Sequence, residues 1–372
     1  MNQARHAHAA SIWQARADAA QRTLDEQYWN TGIGMYNIQT PCPNGDCNTI
    51  FHYWWMAHAV EALTDALERT GEARYARRLG ELYDGLLARN GGVWPNPLYD
   101  DMEWMAIGWL RAHRATGEAR YQEAALELWA DIQTGWNNHM GGGIAWQKSQ
   151  PDYKNTPANA PAAILAARLY DAFGDPADLA WARRIYAWVR DALVDPQTGF
   201  VWDGMNRLQD GAIDKDWRFT YCQGVYIGAA LELYRITGEH AYRADAERTW
   251  AAALAELTRP GDRLFPYEGT GDGGLFKGIL ARYAGQLALL PEQDRGVAEV
   301  LAANARALWQ AAGAAAEDGG DNGGAAGSGA LLFGGSWEER PVGDVELSTQ
   351  LSGVILLETA ARLEAAALSE GR

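Results

Sequence analysis

Three copies of a helix stop constrain this chain more than any other feature: Thr70-Gly71-Glu72, Thr116-Gly117-Glu118 and Thr237-Gly238-Glu239. Each follows an apolar helical run and precedes another, with a tyrosine (Tyr75, Tyr121, Tyr242) three residues after the glutamate. Glycine suits the left-handed position that ends a helix, and an acidic residue suits the positive first turn of the next one. Gly174-Asp175-Pro176 and Leu290-Pro291-Glu292 fill the same place with different chemistry. Stops near residues 70, 116, 174, 237 and 291 mark an array of helical hairpins.

Helices read around those stops number twelve, at about 9–29, 49–69, 72–89, 101–115, 118–135, 158–173, 176–194, 220–236, 239–258, 275–289, 292–312 and 344–367. Helical spacing supports them, as in Tyr121, Ala125, Leu128 and Ile132. No strand run stands out. Short loops after even-numbered helices alternate with long loops after odd-numbered ones, so the long loops and the even helix starts share one face. Six antiparallel hairpins closed into a ring, an all-α (α/α)6 barrel, have this arrangement, as does an open solenoid. The expectation is one domain over residues 1–372, with a flexible Gly-rich loop at about 313–330 and function on the long-loop face.

Charge narrows the partners. With 32 Lys+Arg against 48 Asp+Glu, the formal charge is −16, and no basic run offers a phosphate-binding face. Nucleic acid and anionic membranes are disfavoured, and a neutral or cationic ligand is favoured. No stretch of about 20 apolar residues exists to span a membrane. The opening segment, Met1 to Asn30, reads as an amphipathic helix and not as a signal peptide, so a cytoplasmic monomer is expected. Of three cysteines, Cys42 and Cys47 are spaced to close a small disulfide, but three free thiols are the simpler expectation. Only His52 and His58 lie near enough to join them as metal ligands, so no metal is expected.

The even helices open on polar and aromatic residues that converge if the ring closes. At the fourth, Asp100 and Asp101 follow the rigid approach Trp94-Pro95-Asn96-Pro97-Leu98-Tyr99. Helix capping accounts for one aspartate. A pair also suits glycoside hydrolysis, which needs an ionised carboxylate and a protonated one, about 5–5.5 Å apart when configuration is retained. The helix dipole favours ionisation of the first, whose charge then raises the second. A magnesium-diphosphate reading fails, because Trp104 stands where a third acidic ligand is needed and Glu103 falls one place early.

Tryptophans divide in the same way. Trp129, Trp181, Trp188 and Trp250 fall in helical patterns and read as core; Trp94, Trp136, Trp146, Trp202, Trp217 and Trp337 fall in long loops and suit platforms for sugar C–H faces. Candidate substrate contacts are Trp94, Tyr99, Trp146, Lys154, Asn155, Asn159, Tyr221, Gln223, Asp272 and Lys277. Lys277 and Arg282 are alternatively counter-ions for buried carboxylates.

Five ordered motifs carry a family resemblance: Tyr99-Asp100-Asp101-Met102-Glu103-Trp104, Gly141-Gly142-Gly143-Ile144-Ala145-Trp146, Lys154-Asn155 with Asn159, Thr220-Tyr221 with Gln223-Gly224, and Phe276-Lys277-Gly278 with Arg282-Tyr283. Together they resemble glycoside hydrolase family 76, the endo-acting α-1,6-mannanases. The resemblance implies an (α/α)6 barrel and a retaining mechanism on α-1,6-linked mannan without a cofactor, with Asp100 as nucleophile and Asp101 as general acid/base. Cys222 departs from the family's usual asparagine. Two other readings are a sugar epimerase of the same fold, for which His52 and His58 are the histidines at an inner helix start, and a glycan-binding protein without catalysis.

Overall fold

A computed structural model describes residues 11–291, 296–313 and 330–370. Most of the Gly-rich stretch at 313–330 lies outside the described residues. The helices are α1 (Ile12–Tyr28), α2 (Tyr53–Thr70), α3 (Ala73–Arg89), α4 (Tyr99–Thr116), α5 (Ala119–Ile132), α6 (Ala160–Phe173), α7 (Pro176–Leu193), α8 (Thr220–Thr237), α9 (His240–Leu257), α10 (Gly273–Ala288), α11 (Gly296–Ala311) and α12 (Leu347–Glu370).

The Thr-Gly-Glu stops work as a three-part device. Gly71, Gly117 and Gly238 sit at φ 68, 76 and 70°, where a side chain would be strained. Each threonine hydroxyl donates back to the carbonyl four residues earlier, at 2.7–2.8 Å. The same oxygen accepts the glutamate N–H at 3.1–3.2 Å. One side chain thus adds a second bond to a carbonyl in the last turns of the ending helix and pairs an N–H of the turn.

Closure of the ring is seen directly. α2 packs on α4, α4 on α6, α6 on α8, α8 on α10, α10 on α12, and α12 returns to α2. The odd helices form an outer layer, α3, α5, α7 and α9 each against the preceding inner helix, α11 against α10 and α12, and α1 against α12. The chain is an (α/α)6 barrel, and the open solenoid is excluded. Glycines let the inner helices approach: a Cβ on Gly224 would lie 2.7 Å from Leu280 Cα, and one on Gly278 2.7 Å from Ser352 Cα. None of the described helices is long and apolar enough to cross a membrane.

Two features depart from expectation. Short antiparallel strands occur in the long loops, among them a sheet of Ala145–Gln147, Gln150–Asn155 and Gly204–Met205 beside the α4 and α6 starts. Gln150–Asn155 lacks clean alternation because three successive residues, Tyr153 to Asn155, are buried. Cys42 and Cys47 form a disulfide, so Cys222 is the one free thiol among the described residues.

At the end where the inner helices finish, charges tie the ring together. Asp65 and Glu61 of α2 meet Arg111 of α4 and Arg282 of α10, and Arg362 of α12 joins at Asp65. Arg168 of α6 pairs with Glu232 of α8 at 2.6 Å. The opposite mouth is left for the site.

Candidate active site

At the long-loop face, the starts of five inner helices wall a cleft of about 480 Å³. The α2 start contributes His52, Tyr53 and Trp54; α4 contributes Asp100, Asp101 and Trp104; the α6 approach gives Asn155 and Pro157; α8 gives Tyr221; the α10 start gives Asp272 and Phe276. Outside the helices, Phe51, Leu98, Trp146, Gln150, Tyr153, Asp203, Arg207, Trp217 and Phe219 complete the wall. The sixth start, that of α12, opens instead on a neighbouring groove.

Asp100 and Asp101 differ in their partners. Asp100 lies in the first turn of α4, where its Oδ1 accepts the Asp101 backbone N–H at 3.0 Å. Its Oδ2 accepts the Trp146 indole N–H, also at 3.0 Å. Asp101 accepts one bond, from Asn96 Nδ2 at 3.1 Å. Burial pushes both carboxyls above the ordinary carboxylate range, and the nearby charge of Asp272 adds to the effect. For Asp100 the two donors oppose that rise; for Asp101 the Asp100 charge adds to it. The first carboxyl is therefore the one to ionise and the second the one to keep its proton. Neither aspartate is the N-cap of α4, a position held by Leu98 without a side-chain cap; Asp100 instead accepts a first-turn N–H, and that bond stabilises its anion.

Asp272 leads α10 without capping it, and its Oδ1 accepts the indole N–H groups of Trp54 and Trp55, each at 2.9 Å. Tyr221 and Phe276 stack face to face at 3.9 Å, forming an aromatic wall. Asp203, absent from the sequence-based candidates, sits on the cleft wall and accepts from Tyr221 (3.0 Å), Tyr153 (3.2 Å) and the Cys222 thiol (3.5 Å). Burial pushes its carboxyl up to about 6 against those three donors. Its one sequence signal was an acidic residue between Trp202 and Gly204 in a long loop.

Of the expected contacts, Asp100, Asp101, Trp146, Asn155, Tyr221 and Asp272 line the cleft. Six others belong to the scaffold. Trp94 is buried between Tyr83 and Trp109, and Tyr99 is buried with its hydroxyl on Thr134. Asn159 pairs with both the N–H and C=O of Ile144, at 2.7 and 2.9 Å. Gln223 does the same to Val201, at 2.9 and 2.7 Å. Lys154 donates to the Gly143 carbonyl at 2.7 Å, and Lys277 to the carbonyls of Pro266 and Gly335. The physical reason is common to all four polar residues: folded-back loops carry backbone groups that must be paired once buried, and the partners come from helix starts or, for Lys154, from the strand leading to α6.

Among the loop tryptophans, Trp146 and Trp217 reach the cleft, whereas Trp202 and Trp337 are buried and Trp136 is covered by Arg184 at 4.0 Å. His52 stacks on Trp55 at 3.8 Å on the cleft wall. His58 is sealed beneath Trp54 and Trp104, where burial lowers its pKa to about 4. Among the described residues, no three His, Cys, Asp or Glu side chains are grouped to hold a metal.

Comparison with known proteins decides the family. The sequence model of glycosyl hydrolase family 76 matches residues 11–359. The chain belongs to that family. Solved structures match most of the chain. The Lin0763 protein from Listeria innocua is 42% identical, with a TM-score of 0.86 over 95% of this chain and 98% of that one. The GH76A alpha-1,6-mannanase from Salegentibacter sp. HEL1_6 is 40% identical, with a TM-score of 0.84 over 94% of this chain and 99% of that one. An inactive variant of that mannanase, with two consecutive aspartates replaced by asparagine, is known in complex with alpha-1,6-mannotriose. A curated relative, the mannan endo-1,6-alpha-mannosidase DCW1 of Candida glabrata, is 29% identical over 213 residues. That alignment covers 53% of this chain and 43% of the relative, so the chain spans less than half the length of that curated protein.

Proposed function

We propose that this chain hydrolyses internal α-1,6-mannosidic bonds of mannan with retention of configuration. The reading is carried by the aspartate pair on the cleft wall, one carboxyl held by two donors and the other kept protonated by burial and its neighbour's charge. The 40% identical mannanase, inactive when two consecutive aspartates are changed, supports the same assignment.

In the first step an Asp100 oxygen attacks the anomeric carbon while Asp101 gives its proton to the leaving glycosidic oxygen. The bond to the leaving sugar breaks as the bond to Asp100 forms. In the second step Asp101, now ionised, takes a proton from water, whose oxygen attacks the same carbon and frees Asp100. Two inversions give net retention. Around the reacting sugar, Trp146, Trp217 and the Tyr221–Phe276 wall offer faces to C–H groups, and Asn155 and Asp272 offer polar atoms to hydroxyls. A cleft walled by aromatics and carboxylates suits a neutral glycan.

The test is incubation with linear α-1,6-mannan, dextran and a β-linked glucan, scoring new reducing ends. Release from mannan alone is expected; release from dextran alone would keep the mechanism and change the substrate, and binding without release would leave a glycan-binding protein. The Cys42–Cys47 disulfide supports an oxidising compartment over the cytoplasm expected from sequence, because such bonds persist outside reducing cytosol.

A further inference from the structure

Lys277 and the start of α12 leave the catalytic cleft alone, and together they shape a second groove on the same face. It encloses about 600 Å³ between Tyr267 and the stretch from Gly334 to Glu346. The border with the cleft is one residue wide: the Gly271 N–H donates to the Glu346 carboxylate, and Asp272 beside it lines the cleft.

This groove has a built floor. Lys277 is 1% exposed, and its ammonium donates to the carbonyls of Pro266 (3.2 Å) and Gly335 while lying 4.8 Å from the Trp337 ring. A single buried cation thus ties the segment that carries Tyr267 to the one that carries Gly335. Between them the Tyr267 ring rests against Gly335: a Cβ added there would come within 2.9 Å of the ring and 2.5 Å of the Gly269 carbonyl. Tyr267 is fixed by its neighbours and yet 66% exposed. An aromatic held this way presents a contact face with little entropy left to lose on binding. Around it Glu338, Glu339, Asp344 and Glu346 outnumber Arg340, which repels polyanions and offers acceptors to hydroxyl groups.

We propose that this groove is an accessory binding site for neutral polysaccharide, with Tyr267 as its platform and Lys277 as the positioning residue that holds the floor. It rests on the reading of the cleft as a site that cleaves within a glycan chain: sugars beyond those in the cleft cross the Gly271–Asp272 border and lie on Tyr267.

Two measurements on the full chain test it. In Tyr267→Ala, the ratio of KM on long linear α-1,6-mannan to KM on α-1,6-mannotetraose is expected to rise about fivefold, and Tyr267→Phe is expected to restore it. An unchanged ratio would overturn the proposal. Retardation in gels containing mannan, dextran or β-glucan reads the groove without turnover. Retardation by at least one of these, weakened in Tyr267→Ala and kept in Tyr267→Phe, supports the site even if no substrate is cleaved. Retardation that is absent, or is unaltered by Tyr267→Ala, would overturn it.

Discussion

Replacing Trp146 by Phe isolates the ionisation of Asp100. The substitution keeps an aromatic ring and removes the indole N–H, one of two donors that hold the Asp100 carboxylate, each at 3.0 Å. A hydrogen bond to a charged group contributes about 1.5–3 kcal/mol. Asp100 and Trp146 are both partly exposed in the cleft, so the lower end applies, and about 1.4 kcal/mol moves a pKa by one unit. Burial already places Asp100 above the ordinary carboxylate range, and loss of the donor raises it further. In the proposed mechanism turnover needs Asp100 ionised and Asp101 protonated, so kcat/KM is expected to follow a bell whose acid limb belongs to the pair's first ionisation. The variant should shift that limb up by about one pH unit, lowering kcat/KM about tenfold on the acid side. Any loss of sugar stacking lowers the whole curve equally. An acid limb that stays in place, or moves to lower pH, would refute the charge assignment.

Other parts of the structure are open to similar tests. Asn159→Ala removes bonds of 2.7–2.9 Å to Ile144 and Asn155, and should cost about 2–4 kcal/mol of stability in urea titrations; a raised KM with stability intact would return Asn159 to the substrate. Glu61 would be raised by burial, but Arg282 and Arg111 bring it down to about 2. Its contribution is therefore complete above its unfolded pKa of about 4.3 and fades as pH falls toward 2, which thermal melts across that range would follow. Arg282→Met leaves Glu61 and Asp65 short of a partner, should cost about 3–5 kcal/mol, and should move acid unfolding to higher pH; an unchanged unfolding midpoint would mean the network is not holding the ring.

The helix stops were legible in the sequence because their chemistry is local: Thr70, Gly71 and Glu72 carry the whole turn among themselves. Alternation of loop length then pointed to the face where Asp100, Asp101, Tyr221 and Asp272 converge. What could not be read was which polar residues at those starts face the cleft. Asn159 and Gln223 look like Asn155 in sequence, but each gives its amide to the backbone of a distant loop, Ile144 or Val201. Gln350 repeats the device with Phe333 and Leu331. Such pairings depend on where a loop folds back, which no local pattern encodes. Trp94 and Trp146 likewise differ through their neighbours alone: one is enclosed by Tyr83 and Trp109, the other donates to Asp100. Asp203 was missed for the same reason, since its three donors come from two separate segments.

In the proposed reaction Asp100 attacks the sugar directly and Asp101 serves first as acid and then as base. NMR of the first-formed product from linear α-1,6-mannan tests it most directly, before mutarotation mixes the anomers. Under double displacement the new reducing end is expected to appear first as the α-anomer. Initial appearance of the β-anomer would mean single inversion by water, and would contradict the nucleophile assigned to Asp100.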